Sequence, residues 1–175
     1  MTQVLETKRL ILRPVETHDF PILDKWRSTK DYLEFVFSRE QKNYHLQFII
    51  SLKKDNVPIG VAYTFSYNKS DGFMFFNIFI EKGHRKNGYG AEACTIAICY
   101  IFDYFPIFKI YCDAFSVNKS SIAMMEGVGL EREGFLKGHR LFNGVRYDVV
   151  RFAIYRSNLE RIRLLLQKFM KKRAD

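Results

Sequence analysis

The chain has 175 residues, of which 47% are hydrophobic and 27% are charged, and its formal net charge is +9. This length and composition predict one globular domain with a sizeable core. No apolar run reaches the ~18 residues of a membrane span, and the N-terminus is charged too early for a signal peptide, so we expect a cytoplasmic protein. The positive charge favours an acidic partner, such as a polyphosphorylated ligand or a nucleic acid.

Cysteine and histidine spacing is not typical of a metal site. The chain has three cysteines and four scattered histidines, and Cys94 and Cys99 are five residues apart, on different faces of a helix. We therefore expect no metal, and we expect the cysteines to be small buried hydrophobic residues.

The N-terminal third predicts one strand and two helices. Apolar residues alternate with polar ones in "TKRLILRP", which ends at Pro14 and is typical of a strand. Thr17 is the predicted N-cap of a helix. The apolar face of this helix consists of Phe20, Leu23 and Trp26. The capping-box pattern Ser38–Gln41 predicts a second, short helix.

Three strands and a buried helix are predicted next. The apolar runs "QFIISLK", "PIGVAYTFSY" and "FMFFNIFIE" are separated by turn residues, including Asp71-Gly72. This pattern predicts an antiparallel meander. Residues 88–105 predict a helix that is apolar on most faces and therefore well buried. Its main stripe consists of Ala91, Cys94, Ile98, Ile101 and Phe105.

The last third predicts a strand, a helix, a hairpin and a final helix. The run "IFKIYCDAF" is typical of a strand deep in a sheet, and Asn118 is the N-cap of a helix that ends at the glycines of 127–129. The dipeptide Asn143-Gly144 predicts a hairpin, and the pattern Ser157–Glu160 begins a C-terminal helix. The order is βααβββαβαββ plus one helix. We assign 1–156 to the main domain, and 157–175 to a basic amphipathic helix packed on the domain or on a partner subunit.

The segment "HRKNGYGAEA", His84–Ala93, joins a predicted strand to a predicted helix and has the character of an anion cradle. Gly88 and Gly90 let the backbone approach an anion, and the helix N-terminus adds unpaired N–H groups. Arg85 and Lys86 add positive charge beside them. The segment therefore predicts a phosphate-binding turn.

Two of the nucleotide sites that use such a turn fit this chain poorly. A P-loop needs Gly-Lys-Ser/Thr, which Gly90-Ala91-Glu92 does not supply. The pattern Gly88-x-Gly90-x-x-Ala93, with Asp113 downstream, satisfies a dinucleotide fingerprint. However, antiparallel strands precede it and only 62 residues follow Asp113, too few for a doubly wound sheet. The dinucleotide site is the weaker alternative.

Four segments resemble the GNAT acyltransferase superfamily over residues 5–156. "IEKGHRKNGYGAEA" is similar to its acetyl-CoA signature, Arg/Gln-x-x-Gly-x-Gly/Ala. "FSVNKSSIAMMEGVGLEREG" resembles its Asn-x-x-Ser…Glu-x-x-Gly-Phe…Glu-Gly segment, with Leu130 in place of the usual Phe. The start "ETKRLILRPVETHDF" and the hairpin "FNGVRYDVVRFAI" resemble one branch, the ribosomal-protein N-terminal, polyamine and antibiotic acetyltransferases.

The resemblance implies an α/β (α+β) GNAT fold. In this fold a central mixed, mostly antiparallel sheet has splayed fourth and fifth strands, here about 73–81 and 107–113, and is flanked by helices. Acetyl-CoA is the implied co-substrate, with its pantetheine arm in the gap and its pyrophosphate on the N–H groups of 86–91. The implied cofactor-binding residues are Ile78, Phe79, Ile80, Arg85, Lys86, Asn87, Gly88, Tyr89, Gly90, Ala91, Asn118 and Ser121.

Both side chains that many members use in catalysis are missing from the matching positions. Met125 stands where a Tyr general acid is common, and the strand "FMFFNIFIE" has only Asn77 inside it where others place a Glu. The catalytic candidates are Ser121, which could bond the sulfur or a bridging water, and Asn77, which could hold a water that relays the amine proton. Equally, Ser121 could be only a first-turn helix Ser. Asp113 is expected to be a solvated strand end.

The acceptor is expected to enter from the side of the first two helices. There Asp31 and Glu34 could attract a cation, and Tyr32 and Phe35 could line an aromatic pocket; solvated loop charges and core packing are the alternatives.

The resemblance implies direct transfer of acetyl from acetyl-CoA to a primary amine in a ternary complex. The acceptor could be a small amine, a polyamine, an amino sugar, an antibiotic or a protein N-terminus. A non-catalytic acyl-CoA-binding or nucleic-acid-associated module on the same fold is the alternative. We expect neither a membrane nor a nucleic-acid partner, and a homodimer is left open.

Overall fold

The computed structural model describes residues 3–30 and 44–171, which form eight strands and four α-helices. The strands are β1 Leu5–Glu6, β2 Leu10–Pro14, β3 Leu46–Leu52, β4 Pro58–Asn68, β5 Phe73–Ile80, β6 Lys109–Phe115, β7 Glu131–Phe142 and β8 Val145–Tyr155. The helices are α1 Phe20–Ser28, α2 Tyr89–Tyr104, α3 Lys119–Val128 and α4 Leu159–Met170. Within these ranges no helix has the length and hydropathy to cross a membrane. The predicted helix at Ser38–Gln41 lies outside the described residues.

All eight strands form one sheet in the order β1-β2-β3-β4-β5-β6-β8-β7. Neighbours are antiparallel except β5 and β6, which are parallel and pair only from Phe73–Lys109 to Phe75–Tyr111. Beyond these three pairs the two strands separate, which confirms the predicted splayed pair in a mixed, mostly antiparallel sheet. The short β1 was not predicted, and β6 begins two residues later than expected.

Helix α2 lies in the main core on one face of the sheet. Every residue from Glu92 to Phe102 is buried, as the apolar pattern predicted. Helix α4 packs against α2 through the fully buried Ile162, and its Arg163 forms an ion pair with Asp103 of α2 at 2.6 Å.

A smaller core on the opposite face packs around α1. Leu23 and Trp26 are buried there as predicted, but Phe20 is 53% exposed. Phe20 is the first residue of α1, where its side chain lies outside the helix–sheet contact. The predicted N-cap Thr17 is also wrong, because a 3₁₀ turn precedes α1 and Glu16 and Asp19 cap that turn reciprocally.

Local turn chemistry fixes the second half of the chain. The Asn118 side chain accepts a hydrogen bond from the Ser121 N–H at 3.1 Å, which confirms the cap of α3. Asn143 and Gly144 have φ of 49° and 78°, as a two-residue hairpin with a type I′ turn requires. The prediction at Ser157 is wrong, since Ser157 lies in a 3₁₀ turn and Asn158 is the N-cap of α4.

Candidate active site

The loop between β5 and α2, where the sequence predicts an anion cradle, lies at the end of the splayed strand. Lys86 and Gly88 have φ of 65° and 77°, so the chain passes twice through the left-handed region before α2 begins at Tyr89. The Glu92 N–H donates to the Gly88 carbonyl at 3.1 Å. The N–H groups that precede it in the first turn have no partner within the helix and carry its positive dipole end. The loop therefore presents several donors to one point.

Side chains of the loop secure its shape. Arg85 Nε donates to the Ile80 carbonyl at 2.7 Å, and its guanidinium lies 5.5 Å from the centre of the Phe79 ring. Asn87 Nδ2 donates to the His84 and Arg85 carbonyls at 3.3 and 3.2 Å. Lys86 is exposed and places its charge at the rim of the cradle.

Arg9, which the sequence argument missed, holds the cradle from the N-terminal side. Its Nη1 donates to the Asn87 carbonyl at 2.9 Å, and its guanidinium lies 4.7 Å from the centre of the Tyr89 ring. Its Nε donates to Glu92 at 2.7 Å. Glu92 is fully buried and also accepts from Thr7 Oγ1 at 2.5 Å. A carboxylate inside a helix predicted to be buried was the available signal, because such a charge needs a partner.

A cleft opens where β5 and β6 separate. Its lining consists of Phe76, Asn77, Ile78, Cys94, Cys112, Asp113, Ser121, Met124 and Met125. Because side chains alternate along a strand, Asn77 and Ile78 belong to opposite faces. The lining therefore includes residues of both faces of the sheet, most of them on the side of the main core.

The backbone N–H of Ile78 faces this gap. The Glu81 N–H pairs with Ile59 of β4, so by alternation the N–H of Ile78 points away from β4. It donates to the side-chain oxygen of Asn77 at 2.8 Å. Asn77 Nδ2 in turn donates to the buried Tyr63 hydroxyl at 3.3 Å. The Asn77 side chain thus caps a backbone donor beside the gap.

The wall opposite β5 is rich in sulfur. Burial raises the pKa of Cys94 to about 12 and holds that of Cys112 well above its usual value, so both thiols are protonated at neutral pH. Met124 and Met125 complete this wall, and Ser121 contributes a hydroxyl. All three cysteines are buried free thiols, as predicted.

The structure brings some of the predicted site residues together and separates others. Ser121, Asn77 and Ile78 meet at the cleft, whereas the Phe79 side chain packs against Trp26 in the α1-side core, with ring centres 5.9 Å apart. Asp31, Tyr32, Glu34 and Phe35 lie outside the described residues. Asp113 is not a solvated strand end, since its carboxylate is 6% exposed and is bonded to Arg151 of β8.

Comparison with known proteins agrees with this geometry. Residues 9–131 match the family model of the acetyltransferase (GNAT) domain. The uncharacterized, SPbeta prophage-derived N-acetyltransferase YokL of Bacillus subtilis is 25% identical over 150 residues, covering 86% of this chain and 81% of that protein.

Two solved structures share the fold. A GNAT-family acetyltransferase from Bacillus anthracis superposes with a TM-score of 0.76 at 21% identity, covering 89% of this chain and 99% of that one. Spermidine N-acetyltransferase from Vibrio cholerae, in complex with CoA and spermine, gives 0.79 at 22% identity, covering 86% and 98%. The family match spans most of the chain and includes the cradle, the splayed strands and the cleft; the chain belongs to the GNAT acetyltransferase family, whose members are acetyl-CoA-dependent acyltransferases.

Proposed function

We propose that the protein transfers acetyl from acetyl-CoA to a primary amine by direct attack in a ternary complex. The observation that carries this proposal is the gap between β5 and β6, which begins beyond Phe75–Tyr111 and is lined by residues of both strands, with the glycine-containing loop following β5. The pyrophosphate would lie on the N–H groups of 86–91 and the pantetheine arm along Ile78–Ile80. The acceptor would approach from the α1 side.

The reaction forms a bond from the amine nitrogen to the acetyl carbon and breaks the bond from that carbon to sulfur. The amine must be neutral to attack, and a free alkyl ammonium has a pKa of about 10. A thiol with a pKa of roughly 8.5 leaves readily as the thiolate, so a missing acid at Met125 costs less than a missing base. The proton of the attacking amine passes to water.

The chain's own groups would position this step. The Ile78 N–H would stabilise the developing oxyanion, once Asn77 turns its oxygen from that donor toward a water beside the amine. Ser121 would donate to the departing sulfur. Holding both substrates in one cleft supplies much of the remaining acceleration.

The identity of the acceptor has less support than the identity of the acetyl donor. The V. cholerae neighbour binds spermine, but at 22% identity this likeness supports only a primary amine as the acceptor class. Buried free cysteines favour a reducing compartment, which supports a cytoplasmic reaction.

The test is calorimetric titration with acetyl-CoA, with NADH as the control, followed by thiol release across a panel of amines. We expect saturable acetyl-CoA binding, none for NADH, and thiol release with at least one amine. Binding without turnover across the panel would favour the non-catalytic acyl-CoA-binding alternative, which Met125 supports. A folded sample that does not bind acetyl-CoA would contradict both.

A further inference from the structure

The mouth of the cleft on the α1 side is flanked by side chains of β5 and β6. Phe75 and Asn77 share this face by alternation along β5. The parallel pairing sets Tyr111 beside Phe75, and Asp113 follows two residues later on β6. Arg151 is the antiparallel partner of Asp113 on β8. An acceptor that approaches the cleft from this side therefore passes the rings of Phe75 and Tyr111 and the ion pair between Asp113 and Arg151.

Arg151 is held in a fixed orientation at this mouth. Its Nε and Nη2 each donate to Asp113 at 2.8 Å. Its guanidinium carbon lies 4.9 Å from the centre of the Phe75 ring and 5.4 Å from that of Tyr111. The side chain is 27% exposed, and its Nη1 donates to none of the residues that the structure describes. One edge of a rigid, planar cation thus stays available to a ligand.

Two carboxylates near Tyr111 are each paired with a cation. The second carboxylate, Glu133, is bonded to Lys109 at 2.6 Å and accepts from the Tyr155 hydroxyl at 2.9 Å. Asp113 and Glu133 are therefore each neutralised by a cation. A polyamine would have to displace Arg151 or Lys109 to pair with either of these two carboxylates, whereas an anion meets an open guanidinium edge.

We propose that Arg151 recognises an anionic group, a carboxylate or a phosphate, carried by the amine acceptor. Guanidinium groups that are already fixed by a carboxylate and stacked on aromatic rings lose little freedom when they bind such anions. The acceptor is then an amino acid or a phosphorylated amine rather than a polyamine. This inference rests on the proposed function and names the substrate class of the same site.

The test measures kcat/KM by thiol release for amines matched in pairs. L-phenylalanine is compared with phenethylamine, O-phosphoethanolamine with ethanolamine, and spermidine is run beside them. We expect the anionic member of at least one pair to be favoured by about tenfold or more, the usual value of a charge-assisted hydrogen bond. A preference for L-phenylalanine over phenethylamine would identify a carboxylate as the recognised anion, and a preference for O-phosphoethanolamine over ethanolamine would identify a phosphate.

The preference should depend on one side chain. Arg151→Met should abolish it, while Arg146→Met, an exposed position on the same strand, should leave it intact. Because Arg151→Met leaves Asp113 unpaired, the double variant Asp113→Asn/Arg151→Gln keeps a neutral hydrogen-bonded pair and should abolish the preference as well. Unchanged acetyl-CoA titration in each variant excludes damage to the cradle.

Three results would overturn the inference. Equal or faster turnover of the uncharged amines or of spermidine would do so while leaving the proposed function standing. Persistence of the anion preference in both Arg151 variants would assign recognition to another group. Absence of thiol release with every amine would contradict the proposed function together with this inference.

Discussion

Replacing Arg9 by methionine should both destabilise the protein and loosen the acetyl-CoA cradle. Glu92 is fully buried, and its nearest cation is Arg9, with Nη2 at 2.5 Å and Nε at 2.7 Å. The substitution keeps most of the side-chain volume, so what the protein loses is the positive charge and the hydrogen bonds of the guanidinium. Among those bonds is the one from Nη1 to the Asn87 carbonyl.

The size of the effect follows from burial. Removing one partner of a buried ion pair costs about 3–5 kcal/mol, but Arg9 is 41% exposed and water screens part of the loss, so we expect about 2 kcal/mol. For a domain of this size that lowers Tm by about 4–8 °C. Loss of the bond to the cradle should weaken acetyl-CoA binding about tenfold.

A double variant separates the two effects in thermal melts and calorimetric titrations. Arg9→Met/Glu92→Leu removes the buried charge together with its partner and should recover most of the Tm, but not the acetyl-CoA affinity. The control is Lys53→Met, which breaks the surface pair with Glu6 and should cost about 0–1 kcal/mol. Full recovery of affinity in the double variant would refute the anchoring role of Arg9. A single variant that melts like the wild type would refute the energetic argument.

Lys86→Glu reverses an exposed charge at the cradle and should weaken acetyl-CoA binding about tenfold at low salt. The control is Lys82→Glu, which reverses an exposed charge earlier in the loop. Equal losses of acetyl-CoA affinity in the two variants would contradict the placement of the pyrophosphate. Asn118→Ala removes a helix cap and should cost about 1 kcal/mol, or about 2–4 °C in a melt, and an unchanged Tm would be inconsistent with the cap. Burial raises the pKa of Cys94 to about 12 and that of Cys99 to about 11, so the reactive thiolate is scarce in the folded protein below those values. Iodoacetamide at about pH 8.5 should therefore label them, by mass spectrometry, only on unfolding.

Turn chemistry could be predicted from the sequence because it is local. Asn143 and Gly144 adopt the positive φ values that their residue types favour, and the hairpin follows. Capping patterns predicted the first residues of helices less accurately. A 3₁₀ turn precedes each of α1 and α4, so the predicted caps Thr17 and Ser157 lie two residues and one residue before the N-caps Asp19 and Asn158.

The strand–loop–helix placement of the predicted cradle could also be read from the sequence, since its glycines and cations lie within one short segment. The contact of Arg9 that holds this loop could not be predicted. Arg9 and Glu92 are 83 residues apart, and Asp113 and Arg151 are 38 apart. Which side chains meet across such separations depends on strand order and register. The expectation of a solvated Asp113 was wrong for this reason, because the pairing of β6 with β8 sets Arg151 directly opposite.

Under the proposed function, the residues that meet at the cleft favour catalysis by positioning over catalysis by a side-chain acid or base. Met125 carries no proton, and burial keeps the Cys94 and Cys112 thiols protonated. Asp113 is already bonded to Arg151. What remains is a backbone donor at Ile78, the Ser121 hydroxyl and the Asn77 amide, which donates to Tyr63. Acetyl transfer at such a site would leave the protonation state of the amine to the acceptor and to water, and the alignment of the two substrates would supply most of the rate.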